Sequence, residues 1–257
     1  MDATTYQDYV NILHEELVPA MGCTEPIAIA YAAAVARQTL GRPAQRMEVE
    51  ASGNIIKNVK SVFVPNTGGL RGIPAAAAAG MAAGDPALEL EVLSSIGEGE
   101  QDAIRQYLAD TPIAVKLADS PFIFDIAIRA WAGEDSALVR IVNYHTNIVR
   151  VEKNGQVLKE VEAQAAAEEG LTDKSVLTVE GILEFAREAA LADVEDAVGR
   201  QVRYNTAIAQ EGLRGDYGAN IGKVLLSTYG DDVKIRAIAK AAAGSDARMN
   251  GCGLPVV

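Results

Sequence analysis

Two cysteines, Cys23 and Cys252, carry the sharpest chemistry in this sequence. The first stands in Met21-Gly22-Cys23-Thr24-Glu25-Pro26, just ahead of an alanine-rich run over 27–36. Proline suits the first turn of a helix, because it has no N–H to leave unpaired and its φ is already helical. The spacing therefore predicts Cys23 just outside a helix N-terminus, where free N–H groups and the helix dipole favour a thiolate. The second cysteine stands in Asn250-Gly251-Cys252-Gly253, and both settings predict exposed thiols. Two thiols are too few for a closed zinc or iron–sulfur site of four ligands. They suit a cluster with three protein thiolates and one iron open to substrate, provided that a third cysteine lies beyond Val257. The competing account of Cys23 is a small buried hydrophobe.

Other polar residues offer weaker chemistry. His145 lies in Asn143-Tyr144-His145-Thr146-Asn147 at a strand junction, where a solvent-facing loop histidine is an equal alternative, and His14 reads as structural or solvated. Gly218-Ala219-Asn220-Ile221-Gly222-Lys223 looks like the end of a phosphate loop. The pattern fails twice, with Tyr217 where a glycine is required and Val224 where Ser or Thr should follow the lysine. Gly68-Gly69-Leu70-Arg71-Gly72 follows a strand and precedes a helix, as anion sites do, but a tight turn explains it equally. No Gly-x-Ser-x-Gly elbow is present, so a serine hydrolase is not indicated.

The 257 residues are 49% hydrophobic and 23% charged, the composition of a globular chain of one or two domains. A net charge of −12 and a pI near 4.7 disfavour nucleic acid and anionic membrane as partners. No basic start followed by an apolar stretch marks a signal peptide, and two cysteines make no disulfide framework, so a cytoplasmic protein is expected. The apolar ending Leu254-Pro255-Val256-Val257 reads as a chain cut short.

Periodicity places the elements that must position these residues. Apolar spacing predicts helices over 6–18, from Pro26 to about 40, over 74–83, 100–109, 193–210, 222–227 and 233–243, with Gly244 as the last stop. Strands are expected over 47–51, 61–64, 113–117, 122–131, 137–144, 148–152 and 156–161, with Gly53-Asn54 between the first two. Asn154-Gly155 signals a type I′ hairpin. The element over 88–95 is left open in type. The organisation is α+β: a split, mostly helical catalytic domain over 1–44 and 166–257, with an α+β domain of mixed or antiparallel sheet inserted over 45–165.

With Ser52-Gly53-Asn54-Ile55-Ile56-Lys57-Asn58, Val64-Pro65-Asn66-Thr67-Gly68, His145-Thr146-Asn147-Ile148 and Ala247-Arg248-Met249-Asn250-Gly251-Cys252 added to the Cys23 and Gly218 motifs, the sequence resembles the L-cysteine desulfidase family. That family is related to the iron–sulfur-dependent L-serine dehydratase alpha subunit. The resemblance runs from one end of the chain to the other. It implies a lyase with a [4Fe-4S] cluster, Cys23 and Cys252 matching two of its three cysteine ligands. It also implies elimination of sulfide from L-cysteine to give pyruvate, ammonia and hydrogen sulfide. His145 and Lys223 are the candidate bases, and Ser52, Asn54, Asn66, Thr67 and Asn220 could hydrogen-bond a small amino-acid substrate, turn chemistry being the equal alternative. L-serine dehydration and a non-catalytic amino-acid-binding module are the alternatives, followed by a structural subunit. A homodimer is left open.

Overall fold

The computed structural model describes residues 1–162 and 171–257. The first helix, α1 (Ala3–Glu16), is capped by Asp2, whose carboxylate accepts from the Thr4 and Thr5 N–H groups. A two-residue strand, β1 (Ala20–Met21), leads into α2 (Thr24–Leu40), which begins before Pro26 and ends at Gly41 with φ of 85°. Then come β2 (Arg46–Ala51), α3 (Gly53–Val59), α4 (Gly72–Ala83), a 3-10 turn at Pro86–Glu91 and α5 (Glu98–Asp110). Strands β3 (Ile113–Leu117), β4 (Asp125–Ala132), β5 (Asp135–Val142), β6 (Ile148–Lys153) and β7 (Gln156–Glu160) follow. The chain closes with α6 (Val179–Glu188), α7 (Leu191–Arg214), α8 (Ile221–Tyr229), α9 (Val233–Met249) and β8 (Pro255–Val256).

The fold is α+β. Six strands form one mixed sheet in the order β3-β2-β4-β5-β6-β7, parallel only between β2 and β3. Alternation along β4 turns Ile126, Ile128, Ala130 and Ala132 into the core, and α2 lies against them. Alanine on nearly every side lets α2 fit between the sheet and α4, and a helix apolar all round belongs in such a central place. The helix read from sequence as part of the first helical segment therefore packs on the sheet. At the other end α7, α8 and α9 pack through small residues. A Cβ on Gly212 would lie 2.0 Å from the Ala243 carbonyl oxygen. Tyr6 and Tyr9 of α1 stack against Phe185 of α6, each about 5 Å away between ring centroids.

Several expectations need correction. Residues 61–64 make no strand: only a bridge between Phe63 and Arg71 forms, because the chain turns back at once and Val64 N–H bonds the Leu70 carbonyl. Gly53-Asn54, placed between the first two expected strands, opens the helix α3. Gly244 does not stop α9, which runs on to Met249. It lies inside the helix facing Ala209 of α7, where a Cβ would sit at ordinary contact distance, 3.5 Å from the Ala209 backbone. The expected domain boundary at 165/166 lies outside the described residues. Among the described residues no helix is long and apolar enough to cross a membrane.

Candidate functional site

β1 and β8 pair antiparallel, with Met21 opposite Pro255, so the loops carrying Cys23 and Cys252 meet. Arg248 Nε donates to the Gly22 carbonyl at 3.2 Å across 226 residues of sequence. A third loop, 63–68, closes on both. A Cβ on Gly22 would lie 3.0 Å from Pro65 Cγ, one on Gly251 3.1 Å from Phe63 Cβ, and one on Gly253 2.9 Å from Asn66 Oδ1. All three glycines also have φ between 68° and 77°, so both space and backbone demand glycine here.

Cys23 is the N-cap of α2 and only 6% exposed. Its thiol does not cap the helix but donates to Glu25 Oε2 at 3.0 Å. Burial, and after it the Glu25 carboxylate, push its pKa up to about 12. This overturns the expected exposed thiolate: a helix dipole is worth ~0.3–1 kcal/mol, less than desolvation of a buried thiolate costs. Cys252 is half-buried, and burial raises its pKa also.

Glu25 accepts from both Cys23 Sγ and Asn58 Nδ2. Burial pushes its pKa up, but hydrogen bonds from Cys23, its own backbone and Asn58 Nδ2, with the charge of His145, bring the net shift down. It is a carboxylate. His145, in the turn between β5 and β6, packs edge-on against Phe124 with ring centroids 4.6 Å apart. Burial lowers its pKa, and the Arg248 charge adds to this while Glu25 opposes it, so its imidazole is neutral at pH 7. His145 also lines a cavity of about 530 Å³ with Thr24, Thr146, Asn147 and Leu90. A neutral imidazole beside a cavity can accept a proton.

The remaining predicted residues are spread more widely. Asn66 joins the site beside Gly253, its Nδ2 donating to the Leu93 carbonyl at 3.0 Å. Thr67 is fully buried, and its hydroxyl donates to the Val64 carbonyl at 2.7 Å, holding the turn. Ser52 is buried and donates to the Ile123 carbonyl at 2.5 Å, while Asn54 is exposed on α3. Asn220 has φ of 54° and donates to Asp216, and its Oδ1 is buried without a partner among the described residues. Lys223 Nζ donates to the Gly215 carbonyl, closing the C-terminus of α7. Glu25, Asn58 and Arg248 stood within the quoted motifs but were given no role. The two-residue Cys23–Glu25 spacing at a helix start was the signal for Glu25, and for Arg248 there was none.

The implied cluster can be set against these donors. The loops of Cys23 and Cys252 meet, with Cys23 a buried thiol bonded to Glu25, and this sequence holds no third cysteine. Among the described residues no group of three or more His, Cys, Asp or Glu is placed to hold a metal ion. The raised thiol pKa values do not oppose ligation, because a bound cation deprotonates the thiol that coordinates it.

Comparison with known proteins follows the whole chain. A protein of Desulfitobacterium hafniense is 54% identical over 252 residues, covering 98% of this chain and 59% of its own. One of Lachnoclostridium phytofermentans is 49% identical, with 98% and 60% covered, and one of Treponema denticola 42%, with 100% and 61%. These relatives are UPF0597 proteins. The chain spans about 60% of their length. No family model and no solved structure matches it.

Proposed function

We propose that this protein is a lyase acting on a small amino acid, with L-cysteine as substrate and pyruvate, ammonia and hydrogen sulfide as products. The observation that carries the reading is the meeting of the Cys23 and Cys252 loops beside His145 and its cavity. Elimination needs a base for the Cα proton and a means of stabilising the leaving group. His145 is neutral and borders the cavity, so its imidazole takes the proton. Glu25 holds the charge that forms on it, and Asn66 and Thr146 orient the amino acid. Release of sulfide leaves an aminoacrylate, which water hydrolyses to pyruvate and ammonia. Cys23 and Cys252 are the residues that would hold a [4Fe-4S] cluster, whose open iron supplies a Lewis acid for the carboxylate and the departing sulfur.

L-serine dehydration is the second reading, since the same proton abstraction would expel water. An amino-acid-binding module without turnover is the third, favoured by the buried, protonated state of Cys23. The test is pyruvate formation by the complete protein, purified anaerobically with iron and sulfide restored, L-cysteine and L-serine being assayed in parallel. Pyruvate with sulfide from cysteine is expected. His145→Gln should lower turnover by 10²–10⁴-fold, the usual contribution of a general base. Cys23→Ser should abolish turnover with the fold retained. Unchanged turnover in either variant would refute its assigned role, and no pyruvate from either amino acid would refute the lyase.

A further inference from the structure

The sheet buries one face under α2, and the opposite face carries a separate hollow of about 410 Å³. Strand register sets its floor and walls. One cross-strand row reads Glu50, Ala127, Arg140, Arg150, and the next reads Glu48, Arg129, Leu138, Glu152. Ala127 is the short residue among long charged ones, so the surface sinks there, with Leu138 beside it and Asp119 and Ser120 at the rim.

The charges in this hollow are not equally occupied. Asp125 is 2% exposed and takes both Nε and Nη2 of Arg140, at 3.0 and 2.6 Å. Arg150 bonds Glu152 and Glu160. Glu48 is held by Lys116 at 2.6 Å. Arg129 and Glu50 lie 3.9 Å apart, too long for a hydrogen bond, with the Glu48 charge also acting on Arg129 and the Glu50 charge on Arg140. Arg140 and Arg150 stand directly opposite on neighbouring strands, a like-charge pairing that disfavours the sheet unless something else compensates. An open sheet face made only for solvent has no need of a buried carboxylate under an arginine or of a sunken apolar floor.

We propose that this hollow is a second small-molecule site, and that its ligand is a zwitterionic α-amino acid with a short side chain. The carboxylate takes the Arg129 guanidinium, which can bind it through two parallel N–H groups. The ammonium takes Glu50, with Asp119 at the rim, and the side chain rests on Ala127 and Leu138. The ligand enters between Arg129 and Glu50 and satisfies both. A simple anion would meet four lining carboxylates against three guanidiniums, so the pocket selects for both charges on one molecule. The proposal does not depend on the reaction proposed above, because the residues lining the hollow are not those lining the cavity beside His145.

The experiment is calorimetric titration of the intact protein with L-alanine, L-serine and L-leucine, with propionate and ethylammonium as single-charge controls. Saturable binding of alanine or serine is expected, at least tenfold tighter than either control. Arg129→Gln and Glu50→Gln should each weaken it at least tenfold, and Ala127→Leu, which fills the floor, should abolish it. The two surface variants keep the test decisive if Ala127→Leu fails to fold. His145→Gln should leave this binding unchanged. Absence of saturable binding, equal binding of the controls, or loss in His145→Gln with retention in Arg129→Gln would each overturn the proposal.

Discussion

Replacing Gly80 by alanine would drive α4 away from α2, because a Cβ there would lie 1.9 Å from the Ala30 carbonyl oxygen. Backbone atoms cannot rotate aside as a side-chain tip can. Restoring even a 3.0 Å approach requires a shift of about 1.1 Å in a close-packed interior. The 12 residues of α4 extend ~18 Å, and a contact strip ~8 Å wide then opens to a void of roughly 160 Å³. At ~24 cal/mol per Å³ the unrelaxed cost is about 4 kcal/mol. Alanine's better helix propensity returns about 1 kcal/mol, leaving a net loss of about 3 kcal/mol. Gly199→Ala in α7 is the matched control. Its Cβ would meet the flexible Nη1 end of Arg203 at 3.3 Å and Glu195 Cγ at 3.9 Å, so it should stabilise by about 0.5–1 kcal/mol. Urea unfolding of both variants, followed by circular dichroism, measures the pair. A Gly80→Ala protein within about 1 kcal/mol of wild type would show that α2 and α4 do not lock through this contact.

Three further outcomes are expected. His145 has its pKa lowered in the folded state, so its contribution is present above the unfolded value of 6.5 and is lost as the pH falls below it. His145→Gln should accordingly flatten the fall in melting temperature between pH 7 and 5, and an unchanged slope would show that this histidine is not buried as described. Arg140→Met would leave the buried Asp125 carboxylate unpaired, at a cost of about 3 kcal/mol after allowance for the arginine's partial exposure. The double variant Asp125→Leu, Arg140→Met should regain most of that stability in thermal melts. Asn220 holds φ of 54°, so Asn220→Gly should be near neutral and Asn220→Ala should lose about 1 kcal/mol, read from the same melts.

Much of the local structure was legible because it depends on neighbours in sequence. Alternating apolar residues placed β4, and Asn154-Gly155 turned with φ of 52° and 78°, the left-handed pair that a type I′ hairpin requires. Gly41 ended α2 in the same way. Gly244 misled, because a glycine after an apolar run reads as a helix stop, whereas here it is an interior residue of α9 facing Ala209 of α7. The 61–64 strand failed for lack of a partner strand, which no pattern within those residues reports.

The candidate site divides along the same line. The sequence by itself determined the two thiols, the glycines that let the loops approach, the helix start after Cys23 and the acidic surface. Tertiary structure alone decided that Cys23 is buried and protonated, that Glu25 holds its proton, and that His145 and Arg248 stand close enough for their charges to count. The reason is range. Backbone preference and apolar periodicity act over a few residues, whereas desolvation and Coulomb energy depend on what the whole chain brings within a few ångströms. That is set here by a two-residue strand pair joining the beginning of the described chain to its end.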